Sequence, residues 1–103
     1  PKKLSADAAL CLFRVAQEAL RNVERHAQAS KVDVSVVGRN EGIALAVRDD
    51  GAGFDSSSTA KRASLGLASM RERVRILDGR FAIESGPGIG TSLSAWLPLQ
   101  AVV

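Results

Sequence analysis

The sequence predicts an α/β domain of the α+β kind, with helices laid against a sheet built from antiparallel hairpins. Three observations predict it. A long stretch near the start places apolar residues at helical spacing. Two strictly alternating runs follow, joined by a turn, and a second helical pattern leads into two more short strands joined by glycines. With 103 residues the chain can enclose one core but not two, so residues 1–103 are expected to form one domain.

Pro1 to Leu4 reads as the cut end of something longer, so a fragment is expected. Ser5 offers a hydroxyl N-cap and Asp7 an acid in the first turn, where the helix dipole favours it. From there to about Ala27 the pattern is one amphipathic helix. Ala9, Leu12, Phe13, Ala16, Leu20, Val23 and Ala27 recur at spacings of three and four and define its expected buried face. At about 100° per residue, Glu18, Asn22, Arg25 and His26 then fall together, almost opposite that stripe. Such a stripe is usually a solvated face. Asn22 resists that reading, because asparagine is a poor helix-interior residue, and its amide oxygen suits a hard cation such as Mg²⁺.

Lys31 to Gly38 alternates, with Val32, Val34 and Val36 on one face, and predicts a half-buried strand. Arg39-Asn40-Glu41-Gly42 is a hairpin turn with Asn and Gly available for positive φ. The second strand, Ile43 to Asp49, pairs antiparallel with the first under the long helix and ends in Asp49-Asp50-Gly51-Ala52-Gly53-Phe54. A carboxylate there can accept from an exocyclic amine, and the missing β-carbons let a flat ring approach the main chain. Acid followed by glycine is also what an ordinary turn looks like.

Asp55 to about Ser64 is small, polar and aperiodic, and reads as a loop: a flap over the Asp-Gly-Ala-Gly turn or a plain connection. Gly66 to Leu77 is the second helix, with Leu67, Met70, Val74 and Leu77 inward and Asp78-Gly79 as its stop. Gly66 at its N-terminus would turn main-chain N–H groups outward as an anion site. Phe81–Ser85 and Thr91–Leu97 are the last strands, Pro98 ends the second of them, and Gln100–Val103 is a tail expected to fray.

Composition removes several classes. Cys11 is the one cysteine and His26 the one histidine, which excludes an internal disulfide and a multi-histidine metal centre; a reducing compartment fits. The net charge of +3 is spread along the chain, and four aromatic residues are too few for a base-stacking platform, so no nucleic-acid partner is expected. No apolar run is long enough to span a bilayer, so no membrane contact by this domain is expected. An anionic small ligand explains a mild positive excess equally well.

The segments also resemble, in one order, a known family. Gln17-Glu18-Ala19-Leu20-Arg21-Asn22-Val23-Glu24-Arg25-His26-Ala27 resembles the N box of sensor histidine kinases, and Asp49-Asp50-Gly51-Ala52-Gly53-Phe54 their G1 box. Gly66-Leu67 with Met70-Arg71-Glu72-Arg73 resembles the G2 box and its helix, and Gly90-Thr91 before Leu97-Pro98-Leu99 the closing segment. The Gln-Glu-Ala-Leu and Met-Arg-Glu-Arg wording is similar to that of the NarL/LuxR-type subclass.

The resemblance implies the ATP-binding domain shared by histidine kinases, gyrase-type topoisomerases and a heat-shock chaperone: a two-layer sandwich with helices on one face of a mixed, mostly antiparallel sheet. It implies that Asp49 receives the adenine amino group, with Gly51 and Gly53 shaping the pocket and hinging a lid. Asn22 would hold Mg²⁺ on the phosphates, and Glu18 would be the base or orienting carboxylate. Arg25 and His26 would lie near the phosphates, Gly66 and Leu67 under the lid, and Thr91 beside Asp49. Ser64 stands where the family often has the lid's first glycine, and Arg25 where lysine is commoner.

The implied reaction is transfer of the ATP γ-phosphoryl to a histidine in an upstream dimerisation region, serving a response regulator of LuxR-type output. His26, on the ATP face, is a poor acceptor. The implied setting is cytoplasmic, with a parent protein that can be membrane-anchored. The isolated chain is expected to bind ATP with little phosphotransfer. The alternatives are an anti-sigma-type serine kinase or ATPase on the same fold, or an interaction module that has lost ATP.

Overall fold

A computed structural model describes residues 2–24, 31–51, 58–86 and 90–101. In chain order the elements are β1 (Lys2–Lys3), α1 (Ala6–Asn22), β2 (Val32–Arg39), β3 (Gly42–Asp49), α2 (Ser58–Ile76), β4 (Arg80–Gly86), β5 (Gly90–Pro98) and β6 (Gln100–Ala101). Four strands form a sheet in the order β2-β3-β5-β4, and β1 pairs with β6 beside it. Both helices pack against the same side of that sheet, α1 over β3 and β5, α2 over β4 and β5, and against each other. The expected two-layer sandwich is therefore present. Its sheet is not mixed: every described pairing is antiparallel, because β2-β3 and β4-β5 are hairpins and β5 inserts between β3 and β4.

Helix α1 starts as its sequence suggests, with the Ser5 hydroxyl accepting the Ala8 N–H at 3.1 Å. Its buried face differs from the expected one. Ala8, Cys11, Leu12, Val15, Ala19 and Asn22 point inward, while Ala9 is exposed and Phe13 and Leu20 are 62% and 40% exposed. The helix carries apolar doublets, Ala8-Ala9, Leu12-Phe13, Val15-Ala16 and Ala19-Leu20, so two stripes about 100° apart both fit the spacing. The fold buries the first member of each doublet. The expected continuation to Ala27 passes into 25–30, outside the described residues.

The core lies between α1, α2 and the inward residues Leu45, Val47, Leu93, Ala95 and Leu97 of β3 and β5. Val15, Val74 and Leu97 are fully enclosed. On α2, Leu67 and Val74 are buried and Met70 and Leu77 half-buried, as their spacing predicts. β2 is the exception to expectation. Val32, Val34 and Val36 pair with Asp49, Val47 and Leu45 and so face the helix side, yet all eight β2 residues are exposed. The two helices reach across three strands and leave the edge strand uncovered.

Two turns assign glycine a different task from the expected one. Asn40 and Glu41 take the positive φ values, 52° and 58°, and Gly42 begins β3 instead. A β-carbon there would overlap the Trp96 indole, which lies across Gly42 and donates its Nε1–H to the Arg39 carbonyl at 2.8 Å. At the end of α2, Asp78 takes φ 62° while Gly79 donates to the Val74 carbonyl and leaves room for Leu97 and the β5 backbone. The C-terminal segment does not fray at once: Gln100 and Ala101 pair with Lys3 and Lys2, and Lys2 reaches Glu41 at 3.0 Å.

Candidate functional site

Where α1 ends, β3 and β5 run side by side, and the polar residues singled out above gather there. Asn22 is the last residue of α1 and Asp49 the last of β3. Thr91 in β5 stands directly across from Asp49, and Ser85 in β4 directly across from Thr91. Asn22, Asp49, Thr91 and Leu67 line one cavity whose other walls are Ala19, Val23, Val47, Ile83 and Leu93. The cavity holds about 10 Å³, the room of a single water, so a ring system enters only if these walls part.

Asn22 and Asp49 are the buried polar side chains among the described residues, 6% and 8% exposed. Asp49 is partly satisfied: its Oδ1 accepts the Gly51 N–H at 2.8 Å, which leaves Oδ2 for another donor. Asn22 is not satisfied at all on one side, since its Nδ2 has no partner. A buried amide group left so costs about 1–3 kcal/mol, a deficit that a ligand acceptor would remove. Swinging the amide over would offer its oxygen to the same place.

The strand register supplies a residue that sequence patterns alone do not reveal. The hydroxyls of Ser85 and Thr91 share a hydrogen bond of 2.8 Å, and Ser85 Oγ also lies 3.3 Å from the Gly90 carbonyl. Only the pairing of β4 with β5 brings Ser85 to this row. Gly90 adopts φ 76°, and a β-carbon on it would overlap the Asp49 carbonyl, so glycine is needed there for both reasons. Asp50 turns away from the cavity: its Oδ1 accepts the Lys31 N–H at 2.9 Å and pins the start of β2. That agrees with Asp49, rather than Asp50, as the inward acid.

Two expectations about the helices need correction. Asn22 does not lie opposite the buried stripe, as its spacing from the expected apolar residues implied, but within the buried face, because the helix rolls onto the other stripe. Glu18 lies at the border of that face and meets α2, where a β-carbon on Gly66 would overlap its Oε1. Gly66 is also not at a helix N-terminus. α2 begins at Ser58, so the Gly66 N–H is inside the helix rather than free for an anion. The stretch 58–65 contains Ala, Lys, Arg and Leu, good helix formers without an apolar stripe, which is why periodicity missed it. Arg25, His26 and Gly53 lie outside the described residues. Among those described, no three His, Cys, Asp or Glu gather as a metal-binding group, and no helix is long and apolar enough to cross a membrane.

A helix-borne amide and a strand-end acid thus face one apolar slot between a helical layer and an antiparallel sheet, in a two-layer α+β domain. The chain belongs to the family of histidine kinase-, DNA gyrase B- and HSP90-like ATPases, whose profile matches residues 7–101. It is 44% identical over 100 residues to the sensor histidine kinase MctS of Rhizobium johnstonii, covering 95% of this chain and 22% of that protein. It is 35% identical over 101 residues to the histidine-protein kinase/phosphatase DegS of Bacillus subtilis, covering 96% of this chain and 26% of DegS. The chain thus spans about a quarter of these relatives. Among solved structures it resembles the histidine kinase domain of the Erythrobacter litoralis EL346 blue-light activated kinase (TM-score 0.73, 23% identity, 90% of this chain and 45% of that one). The Acinetobacter baumannii histidine kinase AdeS is similar (TM-score 0.70, 18% identity, 89% and 47%). At these identities the likeness is one of fold.

Proposed function

We propose that this chain is the ATP-binding catalytic domain of a sensor histidine kinase, and that the Asn22–Asp49–Thr91 row is its nucleotide site. The observation that carries the reading is the buried, half-satisfied pair: an Asp49 with a free carboxylate oxygen and an Asn22 with an unpartnered amide, both facing one apolar cavity. Asp49 accepts the adenine amino group. Thr91, held by Ser85, braces the same row, and Leu67 covers the ring from α2. Gly51 gives Asp49 its internal partner, and Gly53, outside the described residues, would help shape the pocket and hinge the lid.

The reaction moves the ATP γ-phosphoryl onto an imidazole nitrogen of a histidine outside this chain. The bond from the γ-phosphorus to the bridging oxygen breaks, a P–N bond forms, ADP departs, and the imidazole proton is left to a base. Glu18, whose carboxylate lies against Gly66, would be the base or the carboxylate that orients that imidazole. A Mg²⁺ ion fits the donor set: it prefers oxygen and commonly takes one or two protein ligands beside phosphates. Asn22 would hold it, and the ion would supply charge neutralisation at the phosphates. Arg25 and His26 would lie near the phosphates, Arg25 adding positive charge, and Gly66 would sit beneath the lid. In the whole protein the acceptor lies in a dimerisation region, the phosphoryl passes to a response regulator of LuxR-type output, and this domain works in the cytoplasm.

Calorimetric titration with Mg²⁺ATP tests the reading. Saturable heat is expected, equal in ADP and ATP sensitivity to Asp49→Ala. No heat at millimolar nucleotide would leave a fold that has lost its ligand. Phosphate stable to base and labile to acid on the intact parent separates a histidine kinase from a serine kinase on the same fold.

A further inference from the structure

A broad open depression lies away from the nucleotide site, on the far side of the sheet. It measures about 420 Å³ and is floored by Ala44, Ala82 and Ser94. Trp96 stands in it between Ala44 and Arg80, to which it pairs directly across the strands, and Arg39 closes the β2 side. Among the described residues no helix covers this face, because α1 and α2 both lie on the other. Three strand spacings and an offset of two residues along the strands, about 16 Å in all, separate the backbones of Arg39 and Arg80, with the indole between them.

We propose that this basin docks an acidic, extended segment of a protein partner, with a carboxylate held between Arg39 and Arg80 and an apolar side chain laid on Trp96. Charge complementarity selects the occupant. Neither guanidinium has a carboxylate partner among the described residues, and the lining contains no acid. The indole N–H is already spent on the Arg39 carbonyl, so Trp96 offers a fixed apolar face rather than a donor. The openness of the basin selects a segment over a small molecule. A small ligand is held by enclosing most of its surface and by buried polar groups, whereas this floor is methyls and one hydroxyl, open to solvent along the sheet.

Trp96 is the one tryptophan of the chain, so its fluorescence reports the site directly. The probe is a blocked hexapeptide of alternating leucine and glutamate, titrated into the 103-residue chain at low and at moderate salt. A saturable emission change is expected, at least fivefold weaker at the higher salt and at least tenfold weaker in Arg39→Gln/Arg80→Gln. Both side chains are exposed, and an unchanged circular dichroism spectrum would show that the variant folds. An equal response to the leucine–glutamine peptide, unchanged affinity in the double variant, or no saturable change would overturn the proposal. Saturation by free glutamate at the same concentration would do so too, by making the basin a small-anion site.

Discussion

Asn22 separates what a single side chain does for stability from what it does for binding. Its Nδ2 has no partner, so Asn22→Ala removes no hydrogen bond from the ligand-free protein. Removing the unpartnered amide relieves about 1–3 kcal/mol against the packing lost, so thermal unfolding without nucleotide should be unchanged or raised, while the Mg²⁺-dependent part of ATP affinity is lost. A large loss of stability without nucleotide, or an unchanged metal dependence, would refute the role. Asp49→Ala acts on the base instead, and should weaken ADP and ATP alike by about tenfold to a hundredfold, the worth of a charged hydrogen bond. Cys11 gives a pH signature. Burial pushes its thiol up, with Arg73 pulling weakly the other way. A raised folded-state value means the contribution is fully present below the ordinary thiol value and is lost as pH rises through the folded one. Stability should fall above about pH 9, and Cys11→Ala should flatten that part of the profile. Identical alkaline profiles in the two proteins would show that other groups cause the fall.

At the scale of elements, the sequence was readable wherever one pattern competed with none. The Ser5 cap, the alternation of β3 and β5, and the α2 residues Leu67 to Leu77 each match within a residue or two. Reading failed where the chain offers two registers. In α1 each apolar doublet supports either stripe, and only the packing of α2 and the sheet decides between them. The site residue Asn22 was found through its poor helix propensity, although the face assigned to it was the wrong one. Ser85 was invisible because its neighbours are set by strand register, a property no local window contains. The Gly66 contact gives a test between elements. Alanine is normally about 1 kcal/mol better than glycine inside a helix, yet here its β-carbon meets Glu18. Gly66→Ala should destabilise the protein, and should turn neutral or stabilising when Glu18→Ala is already present. Additive effects in this double-mutant cycle would mean the contact is not felt.

For the molecule as a whole, stability is concentrated under the two helices. Leu97 is fully buried in the central strand β5, and Leu97→Ala should cost about 2–5 kcal/mol, a large part of what a domain of this size has to lose. Val34 has the same apolar character and the same sheet side, but lies on the uncovered strand at 48% exposure. Val34→Ser should stay within about 0.5 kcal/mol. Denaturant midpoints for the two variants test this contrast, and comparable losses would mean that β2 is covered in solution.

The bare backbone at Gly66 also works as a keyway. Glu18 fills the slot that a side chain on α2 would occupy, so the two helices fit at one relative height. Any side chain at position 66 would push its β-carbon into that carboxylate. Leu67, the next residue, is also a wall of the cavity that Asn22 and Asp49 line. The contact that sets the height of the two helices and the wall of that cavity therefore fall on consecutive residues of α2.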